Sequence, residues 1–232
     1  MTPTASRTSS GNVPPDGLPD WLTSRSGYPF EPFLLDADQA AEATERYRAR
    51  GVVVLGEPAL TPAIFAAIRQ ECAEQRVTAN WALVGDGQQG AVDQDTVRAH
   101  LGPVVRTLMA AGATRALLRQ ITGEHLIPGW SATCLTYYDQ PGQRLGRHRD
   151  KVDACRHAML IYVHARWPAG QPPGPGLKLH VLDPVTTAVR VTVTAVPNRI
   201  VLLHGSQLEH YRPALQAGEE VGLIAGCYAP VG

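Results

Sequence analysis

Nothing in this chain of 232 residues leans towards one charge: 21 lysines and arginines stand against 21 aspartates and glutamates. That balance removes the electrostatic signature by which nucleic-acid and membrane-surface binders are recognised. Neither partner is expected. No apolar run approaches the roughly 20 residues that cross a bilayer. No charged start followed by an apolar core marks a secretion signal. Cysteine is scarce: Cys72, Cys134, Cys155 and Cys227 show no Cys-x-x-Cys spacing. They are expected as free thiols in a reducing cytoplasm, not as a disulfide frame or a zinc site. Internal repeats are lacking as well.

What is present is a change of period. Residues 1–20 are rich in Ser, Thr, Pro and Gly and are expected as a flexible tail. The remainder, 21–232, is expected as one domain, long enough for a sizeable core. Helical patterning appears at 38–50, and a buried strand follows at 51–55. Thr61-Pro62 reads as a helix start, Thr61 capping and Pro62 in the first turn. Further helical regions are expected at about 95–111, interrupted near Pro103, and at 114–122, stopped by Gly123. From about 131 the period becomes two, with short strands between Gly and Pro turns, including 186–195. Helices first and strands after predict an α+β chain with a mainly β core. That core, about 131–232, is expected as a double-stranded β-helix (jelly roll) with the N-terminal helices packed on one face.

The residues that carry chemistry are His148-Arg149-Asp150 and, further on, His210. Two neutral imidazoles and one carboxylate suit a mononuclear iron(II) site that leaves its opposite face open. On a strand, positions 148 and 150 share one side while Arg149 points away. A His-x-Asp tripeptide alone is weak, so its surroundings decide. Ahead of it run Thr136-Tyr137-Tyr138 and the turn Pro141-Gly142. Behind it come Tyr162-Val163-His164-Ala165-Arg166-Trp167, Gly174-Pro175-Gly176-Leu177-Lys178-Leu179, and Arg199-Ile200-Val201-Leu202-Leu203-His204 leading to His210.

With these elements in order, the stretch from Ser131 to Tyr228 resembles the 2-oxoglutarate and iron(II)-dependent dioxygenase superfamily, and within it the prolyl-hydroxylase-like branch. Tyr138 and Gly142-x-x-Leu145-x-x-His148-x-Asp150 follow that branch's pattern with one extra turn residue. The resemblance implies iron(II) on His148, Asp150 and His210, 2-oxoglutarate as co-substrate, O₂ as oxidant, and oxidation of a C–H bond. The small-residue turn Gly205-Ser206 selects His210 over His204 as the distal ligand. His157, His164 and His180 have no assigned place at the metal. No catalytic residue beyond the ligands is implied.

The chain departs from the pattern at the co-substrate anchor. The branch places Arg or Lys on the strand after the distal histidine, but Glu219 to Cys227 contains neither. A buried carboxylate needs a cationic, preferably bidentate partner. Arg212, two residues past His210 on the same strand face, is the substitute, with Tyr162 and Tyr138 as further co-substrate contacts. Arg166 and Lys178 are weaker choices. Arg147, Arg149 and Lys151 are expected as rim charges able to meet an anionic substrate. A small-molecule substrate is expected. The alternatives are a protein-residue hydroxylase, a nucleic-acid demethylase, and a cupin-like metal enzyme that needs no 2-oxoglutarate. Pocket determinants are expected at 79–94. Oligomeric state is not legible.

Overall fold

The computed structural model describes residues 32–83 and 95–231. The expected tail at 1–20 and most of the segment expected to shape the pocket, 84–94, lie outside them.

Local chemistry sets the helices. Asp36 begins α1 (Ala37–Arg50): its carboxylate accepts from the Gln39 N–H at 2.8 Å, and the Gln39 side chain returns to the Asp36 N–H at 3.0 Å. Gly51, at φ 67°, ends the helix in the left-handed region and turns the chain into β1 (Val52–Gly56). Pro62 opens α2 (Pro62–Val77), but Thr61 makes no side-chain capping bond, so the expected cap is not made. After β2 (Asn80–Leu83), the expected helix over 95–111 divides. Its first part is a strand, β3 (Asp95–Ala99), and only Pro103 starts a helix, α3 (Pro103–Ala110). Edge pairing with other strands overrides the weak helical spacing there. The buried Glu71 of α2 supplies the α3 cap, accepting from the Val104 and Val105 N–H groups at 2.6 and 3.0 Å. Helix α4 (Gly112–Thr122) follows and stops at Gly123.

The β core comprises β4 (Leu126–Pro128), β5 (Cys134–Tyr138), β6 (Leu145–His148), β7 (His157–Arg166), β8 (Lys178–Leu182), β9 (Val189–Thr194), β10 (Arg199–Leu203), β11 (His210–Arg212) and β12 (Glu220–Pro230). Among the described residues they form two sheets. The larger runs β1-β10-β7-β12-β5-β3-β2, with β4 also on β12; the smaller runs β6-β11-β8-β9, and the pairings are antiparallel. This is the expected jelly roll.

Alternation along β7 explains how the layers stack. Leu160 and Tyr162 join a core shared with Leu179, Val181 and Val193 of the small sheet. Met159 and Ile161, on the opposite face, are also fully buried, on the side that α2 packs. A strand buried on both faces reads as a continuous apolar run, as 158–163 does. Beside Tyr162 of β7, a left-handed Asn198, φ 63°, clamps Leu60 with both arms of its amide at 2.9 Å.

The cysteines correct one expectation. Cys155 and Cys227 are joined, their Cα atoms 4.6 Å apart and 72 residues apart in the chain; Cys72 and Cys134 remain free thiols. The pairing follows from β7 and β12 lying side by side, a non-local fact that spacing does not carry. Closing so long a loop restricts the unfolded chain. Reduction, or Cys227→Ser, is therefore expected to lower unfolding stability by about 2–4 kcal/mol. Identical urea midpoints with and without reductant would contradict this.

Candidate metal and co-substrate site

Strand β11 pairs with β6 on one side and β8 on the other, and His210 stands opposite His148 in that register. The two imidazole centroids are 4.3 Å apart. Asp150 comes to meet them, with Oδ1 3.4 Å from His148 Nε2 and 4.0 Å from His210 Nε2. Asp150 does not do so as a strand residue. β6 ends at His148, and Asp150 lies just beyond, its N–H donating to the Gly205 carbonyl at 2.9 Å. Gly205 is needed here, because a Cβ on it would stand 1.9 Å from Asp150 Oδ2. The turn that carries His210 thus also seats the carboxylate.

Hydrogen bonding sets the tautomers. His148 Nδ1 faces the Gly146 carbonyl at 2.9 Å, and His210 Nδ1 faces the Leu208 carbonyl at 3.1 Å. A carbonyl can only accept, so each Nδ1 carries the proton and each Nε2 presents a lone pair to the shared space. Burial, followed by the neighbouring His148, pushes the pKa of His210 down to about 4. Burial pushes the Asp150 carboxyl up, but the two imidazoles outweigh it and hold it below its ordinary range. At neutral pH His210 is neutral and Asp150 anionic, states that suit binding of a divalent cation. The potential ligand atoms lie within 4.8 Å of one another.

The trio opens on a cavity of about 410 Å³. Leu145, Leu160, Leu179 and Leu223 give it apolar walls, and Arg212 lies in it beside His210. Arg212 is 2 % exposed, as buried as the leucines around it. Its Nη1 donates to the Gly176 carbonyl at 3.1 Å and its Nη2 to the Tyr162 hydroxyl at 3.0 Å. Its guanidinium carbon lies 5.4 Å from the Tyr138 ring centroid and 5.6 Å from that of Tyr162. No carboxylate pairs with it among the described residues. Of the other basic candidates, Arg166 is exposed and paired with Glu220, and Lys178 is absent from the cavity wall.

The structure redistributes other candidates. Arg149, expected to point away, lines the cavity and is half-buried, with Nε buried and unpartnered. Asp150 sits in the loop, which releases position 149 from strand alternation. Lys151 and Arg98 also line the cavity, whereas Arg147 turns outward to Glu209, 2.8 Å away. Tyr138 lines the cavity; Tyr162 stands behind it, holding Arg212. His204 does not join Asp150. It lies against His157 and Glu124 in a second cluster. Sequence reasoning missed that cluster and the Cys155–Cys227 pair, which lines the cavity wall. Nothing in local spacing signals either.

The chain matches no protein-family model and no curated protein. Solved structures do resemble it. A prolyl-4-hydroxylase from Pseudomonas putida is 17% identical, covering 84% of this chain and 100% of that one, at a TM-score of 0.59. The non-haem alpha-ketoglutarate-dependent epimerase SnoN from nogalamycin biosynthesis is 17% identical, covering 84% and 82%, at 0.63. A Trichoplax adhaerens prolyl hydroxylase, solved with a hypoxia-inducible-factor peptide, is 13% identical, covering 81% and 90%, at 0.59. The fold is therefore the double-stranded β-helix of the 2-oxoglutarate/iron(II) oxygenases. At these identities the likeness speaks for the fold alone.

Two expected outcomes follow from the site's geometry. Gly205→Ala should displace Asp150 and weaken divalent-metal affinity at least 10-fold while far-UV circular dichroism is unchanged; unaltered affinity would contradict the seating role. Separately, the stability of the metal-free protein should depend on acid in a defined window. His210, and likewise His157, has a folded pKa near 4 against an ordinary 6.5. Above 6.5 both folded and unfolded chains hold these rings neutral. As pH falls from 6.5 towards 4, the unfolded chain takes up protons that the folded one refuses, so stability drops. Urea midpoints that stay flat from pH 7 to pH 4.5 would refute this.

Proposed function

We propose that the protein is a 2-oxoglutarate-dependent non-haem iron oxygenase that oxidises a C–H bond of a small molecule. In this reading His148, Asp150 and His210 hold iron(II), and Arg212 binds the distal carboxylate of 2-oxoglutarate. The observation that carries it is the buried, uncountered guanidinium of Arg212, two residues along the strand from His210. An unpaired cation in an apolar wall is costly, and an anionic ligand offsets that cost. One strand spacing of i to i+2, about 6.6 Å, separates ligand from anchor, a span that a five-carbon 2-oxo diacid bridges. Such an acid would offer its oxo and adjacent carboxylate oxygens to the metal and its far carboxylate to the guanidinium.

When bound, iron(II) with 2-oxoglutarate supplies the activation of O₂. The chain's own part is positional. Tyr162 accepts from Arg212, which leaves its hydroxyl proton to donate to the same carboxylate. The Tyr138 ring lies over the guanidinium, and the leucine walls keep water from the oxidising centre. Asp150 fills the position that a chloride would need, which disfavours halogenation.

The substrate reading rests on two supports. The cavity is of small-molecule size, and SnoN, on the same fold, is by its name an epimerase of nogalamycin biosynthesis. Arg149 and Lys151 at its wall favour a substrate bearing negative charge; Asp150 is the sole acid on that wall among the described residues. A protein-residue hydroxylase is the second reading, favoured by the peptide held by the Trichoplax relative. A nucleic-acid demethylase draws no support from the net charge of zero.

Anaerobic titration with iron(II) and 2-oxoglutarate tests the proposal. A visible metal-to-ligand charge-transfer band is expected in the wild type. Arg212→Ala should weaken 2-oxoglutarate binding on the order of 100-fold, the loss of a charge-assisted pair of hydrogen bonds, with iron affinity retained. A band that forms equally well in Arg212→Ala would place the anchor elsewhere. No band in the wild type would end the 2-oxoglutarate reading and favour a cupin-like enzyme.

A further inference from the structure

Beyond the His148–Asp150–His210 trio, a second constellation of ligand-type side chains stands at the far end of β7. In the antiparallel pairing of β10 with β7, Leu203 lies opposite Ala158. The next positions outward are His204 and His157, and their ring centroids are 4.5 Å apart. Glu124, just past the end of α4, brings Oε1 to 3.2 Å from His157 Nε2. The ligand atoms of Glu124, His157 and His204 lie within 4.8 Å of one another. His157 is 1 % exposed, whereas Glu124 and His204 reach solvent, so the cluster has a buried floor and an open side.

Each of the three carries an outer partner. The Tyr47 hydroxyl lies 2.5 Å from His157 Nδ1. Arg156 donates to Glu124 Oε2 at 3.2 Å, leaving Oε1 turned to the histidines. Ser206 Oγ lies 3.4 Å from His204 Nδ1. Ligating imidazoles and carboxylates are characteristically oriented by such second contacts. A hydrogen-bonded relay from Tyr47 through His157 to Glu124 explains two of these side chains. It leaves the imidazole of His204 packed against another imidazole with no task.

We propose that Glu124, His157 and His204 bind a second divalent transition-metal ion, of the zinc(II) class, separate from the iron site. Two imidazole nitrogens and one carboxylate oxygen match zinc's preferences, and the open side admits a water as fourth ligand. Binding needs no net proton release from His157. Its single ring proton moves to Nδ1 and is donated to the Tyr47 oxygen, freeing Nε2 for the metal. Burial, then His204, pushes the His157 pKa down to about 4, so the ring is neutral over the physiological range. The ion would tie the end of α4 to β7 and β10. It would also brace the turn that begins at His204 and continues through Gly205 to His210.

The test is metal stoichiometry on tag-free, full-length protein, stripped of metal and titrated anaerobically with cobalt(II). The wild type should bind two equivalents per chain. His204→Gln should bind one and retain the site that His148→Ala loses; His148→Ala should keep the site that His204→Gln loses. The double variant should bind none. One equivalent in the wild type, lost in His148→Ala, overturns the proposal, as does a second equivalent that survives in both His204→Gln and Glu124→Gln. One equivalent that persists in His148→Ala but vanishes in His204→Gln would uphold this site while sinking the iron assignment. Should His204→Gln fail to fold, the wild-type count together with the part-exposed Glu124→Gln still decides.

Discussion

The register of β11 between β6 and β8 is the constraint from which the site follows. It is a strand of three residues, His210–Arg212, with pairing on both edges. Because side chains alternate with a period of two, a one-residue slip would turn both His210 and Arg212 out of the interior together. In the observed register His210 faces His148 across the ladder, and Arg212 enters the same cavity. The turn leading into the strand supplies Gly205, whose carbonyl and lack of Cβ seat Asp150. One short strand and its turn therefore organise the candidate metal ligands and Arg212 as a unit.

Burying Arg212 sets the chemistry that this unit favours. A guanidinium removed from water costs several kcal/mol unless its donors are used and its charge is met. The Gly176 carbonyl and the Tyr162 hydroxyl use two donors, and the aromatic faces of Tyr138 and Tyr162 lessen the charge penalty. None of these is an anion. In the proposed reading, Arg212 on β11, in the smaller sheet, takes the place of the basic residue that the resembled pattern has and β12 lacks. Glu219 and Glu220, at the point where β12 begins, are engaged elsewhere: Glu219 accepts from the Gln216 N–H at 2.7 Å, and Glu220 meets His164 and Arg166.

Much of this was legible in the chain. The change from helical to two-fold period located the jelly roll, and the ordered run from Tyr138 through Gly142, Leu145 and His148 to His210 located the trio. The inward placement of Arg212 was legible by alternation alone. What escaped was non-local or marginal. The 95–99 segment pairs with β5 and β2, and that pairing outweighs a weak helical pattern. Cys155 and Cys227 meet because two strands run side by side. Glu124, His157 and His204 arrive from a helix end and two strand ends, so no spacing announces them. Position 149 turned inward because β6 stops at His148, two residues short of the strand end that the motif suggests.

In the proposed reading a metal and a diacid meet across a single strand. The most direct measurement is a crystal structure of the protein loaded anaerobically with manganese(II) and 2-oxoglutarate. It should show the ion on Nε2 of His148, Nε2 of His210 and the carboxylate of Asp150, with the far end of the diacid on Arg212 and Tyr162. An ion held without His210, or a diacid whose distal carboxylate lies away from Arg212, would contradict it.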